Sequence, residues 1–176
     1  MSTPTPTLPP IAVLNTLPLP EFASAIHLLF ETSPRLDAAL AAARPFTSYP
    51  ALIDATADIL THLSDADRVD IVNAHPRIGA PKTTLSSLSA TEQSHGPAPD
   101  ATIHARLSEL NKQYEDNIGF RFVVFVNGRG RGEIVPVMER CIEGGSREGE
   151  LERGLREMIG IARDRLARVG PVEGRI

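Results

Sequence analysis

Phe120-Arg121-Phe122-Val123-Val124-Phe125-Val126, bounded by Gly119 and by Asn127-Gly128, decides the fold class of this chain. Aromatic and β-branched residues between turn formers have the composition of a β-strand. No second stretch of that kind is present, and a lone strand has no partner for its backbone N–H and C=O groups. The segment therefore reads as extended chain laid across helices. The expected fold is all-α: a single-domain helical bundle of about seven or eight helices with one extended segment near residues 120–126.

Working outward from that segment, helical periodicity accounts for most of the chain. Phe22, Ile26, Leu29 and Phe30 form the stripe of a first helix beginning near Pro20. Ser33-Pro34 supplies an N-cap and a first-turn proline for a helix through Leu36 and Leu40, closed by Arg44-Pro45. Another fits residues 49–63, and Ser64 caps a short helix that ends at Asn73. Ser89 reads as the N-cap of a short helix with Glu92 at its third position, a capping box. A long helix is expected from about Pro99 to Asn117 through Ile103, Leu107, Leu110 and Tyr114, with two more over residues 132–143 and 149–169. Residues 1–18, rich in Pro and Thr, read as an extended arm, 19–170 as the helical domain and 171–176 as a tail.

Composition narrows the function classes. Of 176 residues, 41% are apolar, which excludes wholesale disorder. Eighteen Lys and Arg stand against 22 Asp and Glu, so no global field favours nucleic acid or an anionic membrane. No apolar run reaches the roughly 20 residues of a membrane span. The single cysteine, Cys141, excludes an internal disulfide and reads as a packing residue near Met138 and Ile142. His62, His75, His95 and His104 have no metal-ligand spacing, so no metal is expected. Gly128-Arg129-Gly130-Arg131-Gly132 lacks the lysine-hydroxyl pair of a phosphate loop and reads as a flexible connection into a helix. Charges over residues 148–168 read as the solvated face of an amphipathic helix, of which one arginine could turn inward. Neither end carries a secretory signal or a Ser-Lys-Leu tripeptide, which leaves the cytoplasm as the default compartment and the peroxisome open.

Two segments carry chemistry. In Ala74-His75-Pro76-Arg77-Ile78-Gly79, the X-Pro step pushes His75 into extended geometry just past a helix, fixing where an imidazole that titrates near neutrality points. Taken alone, His-Pro is more often a helix stop with a surface histidine. In Ser89-Ala90-Thr91-Glu92-Gln93, a hydroxyl, a carboxylate and an amide share one helix face. A plain capping box explains that spacing equally well. Together the two segments supply an acid/base group and a polar clamp suited to a small ionised substrate.

These motifs, in this order, resemble the 2-oxo-4-hydroxy-4-carboxy-5-ureidoimidazoline (OHCU) decarboxylases. The resemblance covers roughly residues 28–166. It also takes in Pro45-Phe46-Thr47-Ser48, Leu110-Asn111 with Tyr114, Gly119-Phe120-Arg121-Phe122-Val123-Val124 and Arg165-Leu166. It implies an all-helical fold and a carbon–carbon lyase that converts the ureidoimidazoline to (S)-allantoin in urate degradation without a cofactor. It places the catalytic acid/base on His75, paired with Glu92. It places substrate contacts on Pro76, Ser89 and Gln93, on the backbone of Phe122, Val123, Val124, Phe125 and Val126, and on Arg165, with Arg163 as the competing position. The chain departs from the family's Phe-Gly-Phe-Pro-Phe at Arg121. The partner implied is a small molecule, and a homodimer is compatible. Two rival readings are an enzyme for a related ureide or hydantoin and a non-catalytic helical interaction module.

Overall fold

The computed structural model describes residues 7–31, 33–81, 85–94 and 101–171. Parts of the expected arm, of the tail and of the 80–100 loop, with His95 and Pro99, lie outside the described residues. Among the described residues there are nine helices: α1 Ile11–Leu14, α2 Leu19–Ile26, α3 Pro34–Ala42, α4 Tyr49–His62, α5 Asp65–Asn73, α6 Ser87–Glu92, α7 Ala101–Ile118, α8 Arg131–Gly144 and α9 Arg147–Val169. None of them is long and apolar enough to cross a membrane. The all-α expectation is borne out, with one helix more than expected.

The chain divides into two compact units, one of Met1–Ile71 with Ile159–Ile176, the other of Val72–Met158. Nothing in the composition marked this division, which falls inside α5 and inside α9. In the first unit, α3 packs on α2 and α4 around the fully buried Phe22, Ile26, Leu29, Phe30, Leu36, Leu40 and Leu52. The caps expected at α3 and α5 are present: Ser33 Oγ accepts from Leu36 N, and Ser64 Oγ from Asp67 N at 3.2 Å. Two expectations are corrected in this unit. Helix α2 stops at Ile26, and Leu29 and Phe30 reach the core from the turn that follows, their N–H groups donating to Ile26 O. The arm is not simply extended. Leu8 is buried, Pro9 O accepts from Tyr49 Oη at 2.6 Å, and residues 11–14 coil into α1 to bury Leu14. Burial also pushes the Tyr49 phenol up to about 12.

The second unit is built around Tyr114 of α7, whose ring meets Phe120 and Phe122 edge-on at centroid distances of 6.1 and 5.1 Å. Beside it, Glu150 accepts from Tyr114 Oη and Arg153 Nε, each at 2.8 Å. Burial and the Glu150 bond together push the Tyr114 hydroxyl above its ordinary range. Burial is the largest single influence on Arg153 and opposes its charge, but the Glu150 hydrogen bond and the charges of Cys141, Glu150 and Tyr114 together outweigh it and raise the guanidinium above its ordinary range. Cys141 of α8 is half-buried, and desolvation raises its thiol, in keeping with a packing role.

Residues 121–126 are extended and belong to no sheet, as the opening reading requires. Side chains stand in for the missing strand partner. Asn73 Oδ1 accepts from Arg121 N at 2.9 Å, Arg153 Nη1 donates to Val123 O at 2.8 Å, and Glu157 Oε2 accepts from Phe125 N at 2.6 Å. Arg129 donates to Phe125 O and Val126 O. The Gly-rich connection is correspondingly built rather than slack. Asn127 and Gly128 adopt positive φ, and Glu133 Oε2 accepts from Gly130 N at the start of α8.

Candidate active site

The second unit contains every sequence-predicted site residue except Arg165. His75 lies two residues past the end of α5, is 4% exposed, and its N–H donates to Val72 O in a final turn. The chain on either side of it is held by side chains. Arg121 Nη1 donates to Asn73 O at 2.6 Å and to His75 O at 3.0 Å. Arg121 thus anchors the histidine's backbone.

Beyond Pro76 the loop turns sharply at Gly79, whose φ of +80° suits glycine. A Cβ there would also stand 3.3 Å from Leu107 Cδ1. Asn111 Nδ2 donates to Ile78 O at 3.0 Å. Arg77 makes a two-pronged pair with Glu115 at 2.6 and 2.7 Å, and that hydrogen bond raises the guanidinium above its ordinary range.

Helix α6 brings the second motif to this loop. Its N-cap is Ser86, which accepts from Ser89 N, so the expected cap at Ser89 is corrected. Starting at Ser89 would leave less than a full turn before Gln93. Starting one turn earlier puts Ser89 and Gln93, four residues apart, on the buried face. Gln93 is the direct link between the motifs. Its Oε1 accepts from Gly79 N at 2.8 Å and its Nε2 donates to Arg77 O at 3.5 Å. Glu92, the last residue of α6, is half-buried.

In the extended segment, Phe122, Val123, Val124 and Val126 are buried and Phe125 is half-buried. With Val123 O, Phe125 N, Phe125 O and Val126 O engaged as above, the N–H and C=O of Val124 and the N–H of Val126 make no hydrogen bond among the described residues. A groove of about 840 Å³ runs along Pro76, Arg77, Ile78, Gly79, Ala80 and Pro81 and the face of α7, and of the sequence-predicted residues only Pro76 lines it. Among the described residues no three His, Cys, Asp or Glu side chains group to hold a metal ion.

In the first unit, burial separates the two competing arginines. Arg163 is exposed and pairs with Asp54 at 2.9 Å, whereas Arg165 is 1% exposed and pairs with Glu31 at 3.1 Å. Residues missed by sequence reasoning are Asn73, Asn111 and Arg131. Asn111 left a signal, being an amide within the apolar stripe of Leu107, Leu110 and Tyr114 on α7.

The family model described as OHCU decarboxylase matches residues 15–167. The chain belongs to the OHCU decarboxylase family. That family match spans both units. A relative from Halalkalicoccus jeotgali named 2-oxo-4-hydroxy-4-carboxy-5-ureidoimidazoline decarboxylase is 30% identical over 159 residues, covering 87% of each chain. A uric acid degradation bifunctional protein of Bacillus sp. (strain TB-90) is 27% identical over 158 residues, covering 89% of this chain. The chain spans 31% of that relative's length. The crystal structure of an OHCU decarboxylase in the presence of (S)-allantoin matches with a TM-score of 0.66 at 22% identity, over 81% of this chain and 94% of that one. The OHCU decarboxylase fold is therefore shared, and the residues described above occupy it.

Proposed function

We propose that this chain decarboxylates 2-oxo-4-hydroxy-4-carboxy-5-ureidoimidazoline to (S)-allantoin, with His75 and Glu92 as its catalytic residues. One observation carries the reading: the Gln93 amide joins the His-Pro loop to the Ser-x-x-Glu-Gln helix, bringing the family's two specific motifs to one place. The substrate holds its carboxylate and hydroxyl on one ring carbon beside a carbon–nitrogen double bond. Breaking the bond to the carboxyl carbon releases carbon dioxide and leaves an electron pair that the ring delocalises. The pair forms a carbon–carbon double bond as the carbon–nitrogen double bond opens onto a nitrogen that takes up a proton. The hydroxyl then gives up its proton to become the ring carbonyl while the neighbouring ureido-bearing carbon gains one, giving allantoin.

His75 manages that proton and Glu92 positions the imidazole, a division of labour worth about a hundredfold to ten-thousandfold in rate for acid/base catalysis. Pro76 and Ser89 line the site. Gln93 retains one amide N–H and one lone pair beyond its loop contacts for the substrate. The Val124 and Val126 backbone groups match the alternating donors and acceptors of a ureide, with the Phe122, Val123 and Phe125 backbone completing that wall. Protonation from one side of the planar intermediate sets the S configuration.

The test is optical. Urate is oxidised and hydrolysed in the cuvette to generate the substrate, and circular dichroism follows (S)-allantoin when the chain is added. A dichroic signal rising faster than spontaneous decay is expected. Decay at the spontaneous rate, or faster turnover of a neighbouring hydantoin, overturns the assignment.

A further inference from the structure

Arg121 follows the end of α7 and Arg131 opens α8, and each directs its guanidinium at main-chain carbonyls at the end of another helix. Arg121 Nη1 bridges Asn73 O and His75 O at 2.6 and 3.0 Å. Arg131, buried, donates from Nε to O of Gln93, the C-cap of α6, at 3.1 Å. Its Nη1 lies 2.9 Å from His104 Nε2, which must accept because a guanidinium only donates. Neither arginine makes an ion pair among the described residues; both act on backbone. The last carbonyls of a helix lack intrahelical partners and carry partial negative charge, so a cation there both satisfies and fixes them.

The consequence lies in what those carbonyls belong to. One is that of His75 itself; the other belongs to the residue after Glu92. Between the two clamps, Gln93 ties the motifs through Gly79 N and Arg77 O. We propose that Arg121 and Arg131 are positioning residues that set the separation of His75 and Glu92, one holding the histidine's backbone and the other the end of α6. The inference rests on the reading of His75 and Glu92 as the catalytic pair. It predicts an effect on turnover rather than on substrate affinity, because neither guanidinium is assigned to the substrate. A misplacement of about 1 Å between reacting groups costs on the order of a hundredfold in rate.

Steady-state kinetics of the full chain on freshly generated substrate test this, with Arg121→Gln, Arg121→Lys, Arg131→Gln, Arg131→Lys and His75→Ala compared, and with thermal unfolding followed by circular dichroism. Each glutamine variant should lose kcat by about tenfold to a hundredfold with KM held within about twofold. The lysine variants should regain part of that loss, since an ammonium reaches one carbonyl without the guanidinium fork. The double glutamine variant should lose less than the product of the single losses, because both act on one separation. Raised KM at constant kcat, unchanged kinetics, or independent multiplicative losses would each overturn the proposal. If a glutamine variant does not fold, its lysine counterpart decides on the same split. Near-normal turnover by His75→Ala overturns the catalytic assignment itself, whereas an inactive His75→Ala beside unaffected arginine variants overturns only the positioning role.

Discussion

The loop at residues 74–80 and the extended segment at 121–126 lie in the same unit, and side chains from elsewhere in the chain hold the main chain of both, but they differ in what is packed around that main chain. In the loop, the backbone is the anchored part: Arg121, Gln93 and Asn111 grip the main chain of Asn73, His75, Arg77, Ile78 and Gly79. The side chain of His75, 4% exposed, is the one proposed to carry the chemistry. In the segment, Asn73, Arg153, Glu157 and Arg129 hold the backbone, and the side chains are packed as well, with Phe122 on Tyr114 and under Arg153, whose Cζ is 4.6 Å from the ring centroid. The backbone groups at Val124 and Val126 are the ones proposed for binding. A function carried by a side chain shows in the sequence as a motif. One carried by backbone does not, because any residue type supplies the same N–H and C=O.

Five substitutions at four positions press on that comparison. The largest effect on stability is expected from Phe122→Ala, which empties a buried aromatic site and should cost about 3–5 kcal/mol in urea unfolding. If its cost is under about 1 kcal/mol, side-chain burial is not what anchors the segment. Val124→Pro removes one backbone N–H while Val124→Ala keeps it. KM should rise about tenfold or more for proline and stay within about threefold for alanine. Equal KM values would remove the backbone from binding.

On the loop side, Gly79→Ala forces a side chain into positive φ against Leu107. It should destabilise by about 1–2 kcal/mol and lower kcat, read by unfolding and kinetics together. Unchanged values for both would mean that the turn is not held as described. The smallest effect belongs to Arg77→Ala. Its pair with Glu115 is two-pronged but half-exposed, so a loss below about 1 kcal/mol is expected, shrinking further in salt. A loss of several kcal/mol would move the main anchor of the loop from Gln93 and Asn111 to this ion pair.

Legibility in the sequence follows the same division. Helices with long apolar stripes, such as α4, α7 and α9, and the serine caps at Ser33 and Ser64 follow from local chemistry, and the structure has them. At α6 the cap is Ser86 where local chemistry pointed to Ser89, and this start puts Ser89 and Gln93 on the buried face. The end of α2 was missed because Leu29 and Phe30 keep the stripe while the chain has already left the helix. His75 and Gln93 were visible as motif residues. Asn111 showed only as an amide within the apolar stripe of α7, and the clamps at Asn73 and Arg131 did not show, because their partners lie 48 and 38 residues away in the chain and leave no periodic trace. Arg121 stood out only as a departure from the family's proline, and its role followed from its two carbonyl partners.

The central claim is that His75 governs the proton that returns to the ring. Circular dichroism of (S)-allantoin formation by His75→Ala, with far-ultraviolet spectra to verify its helices, tests it most directly. The account predicts an unchanged helical spectrum and loss of enantioselective turnover by at least about a hundredfold. Wild-type formation of the S enantiomer by that variant would contradict it.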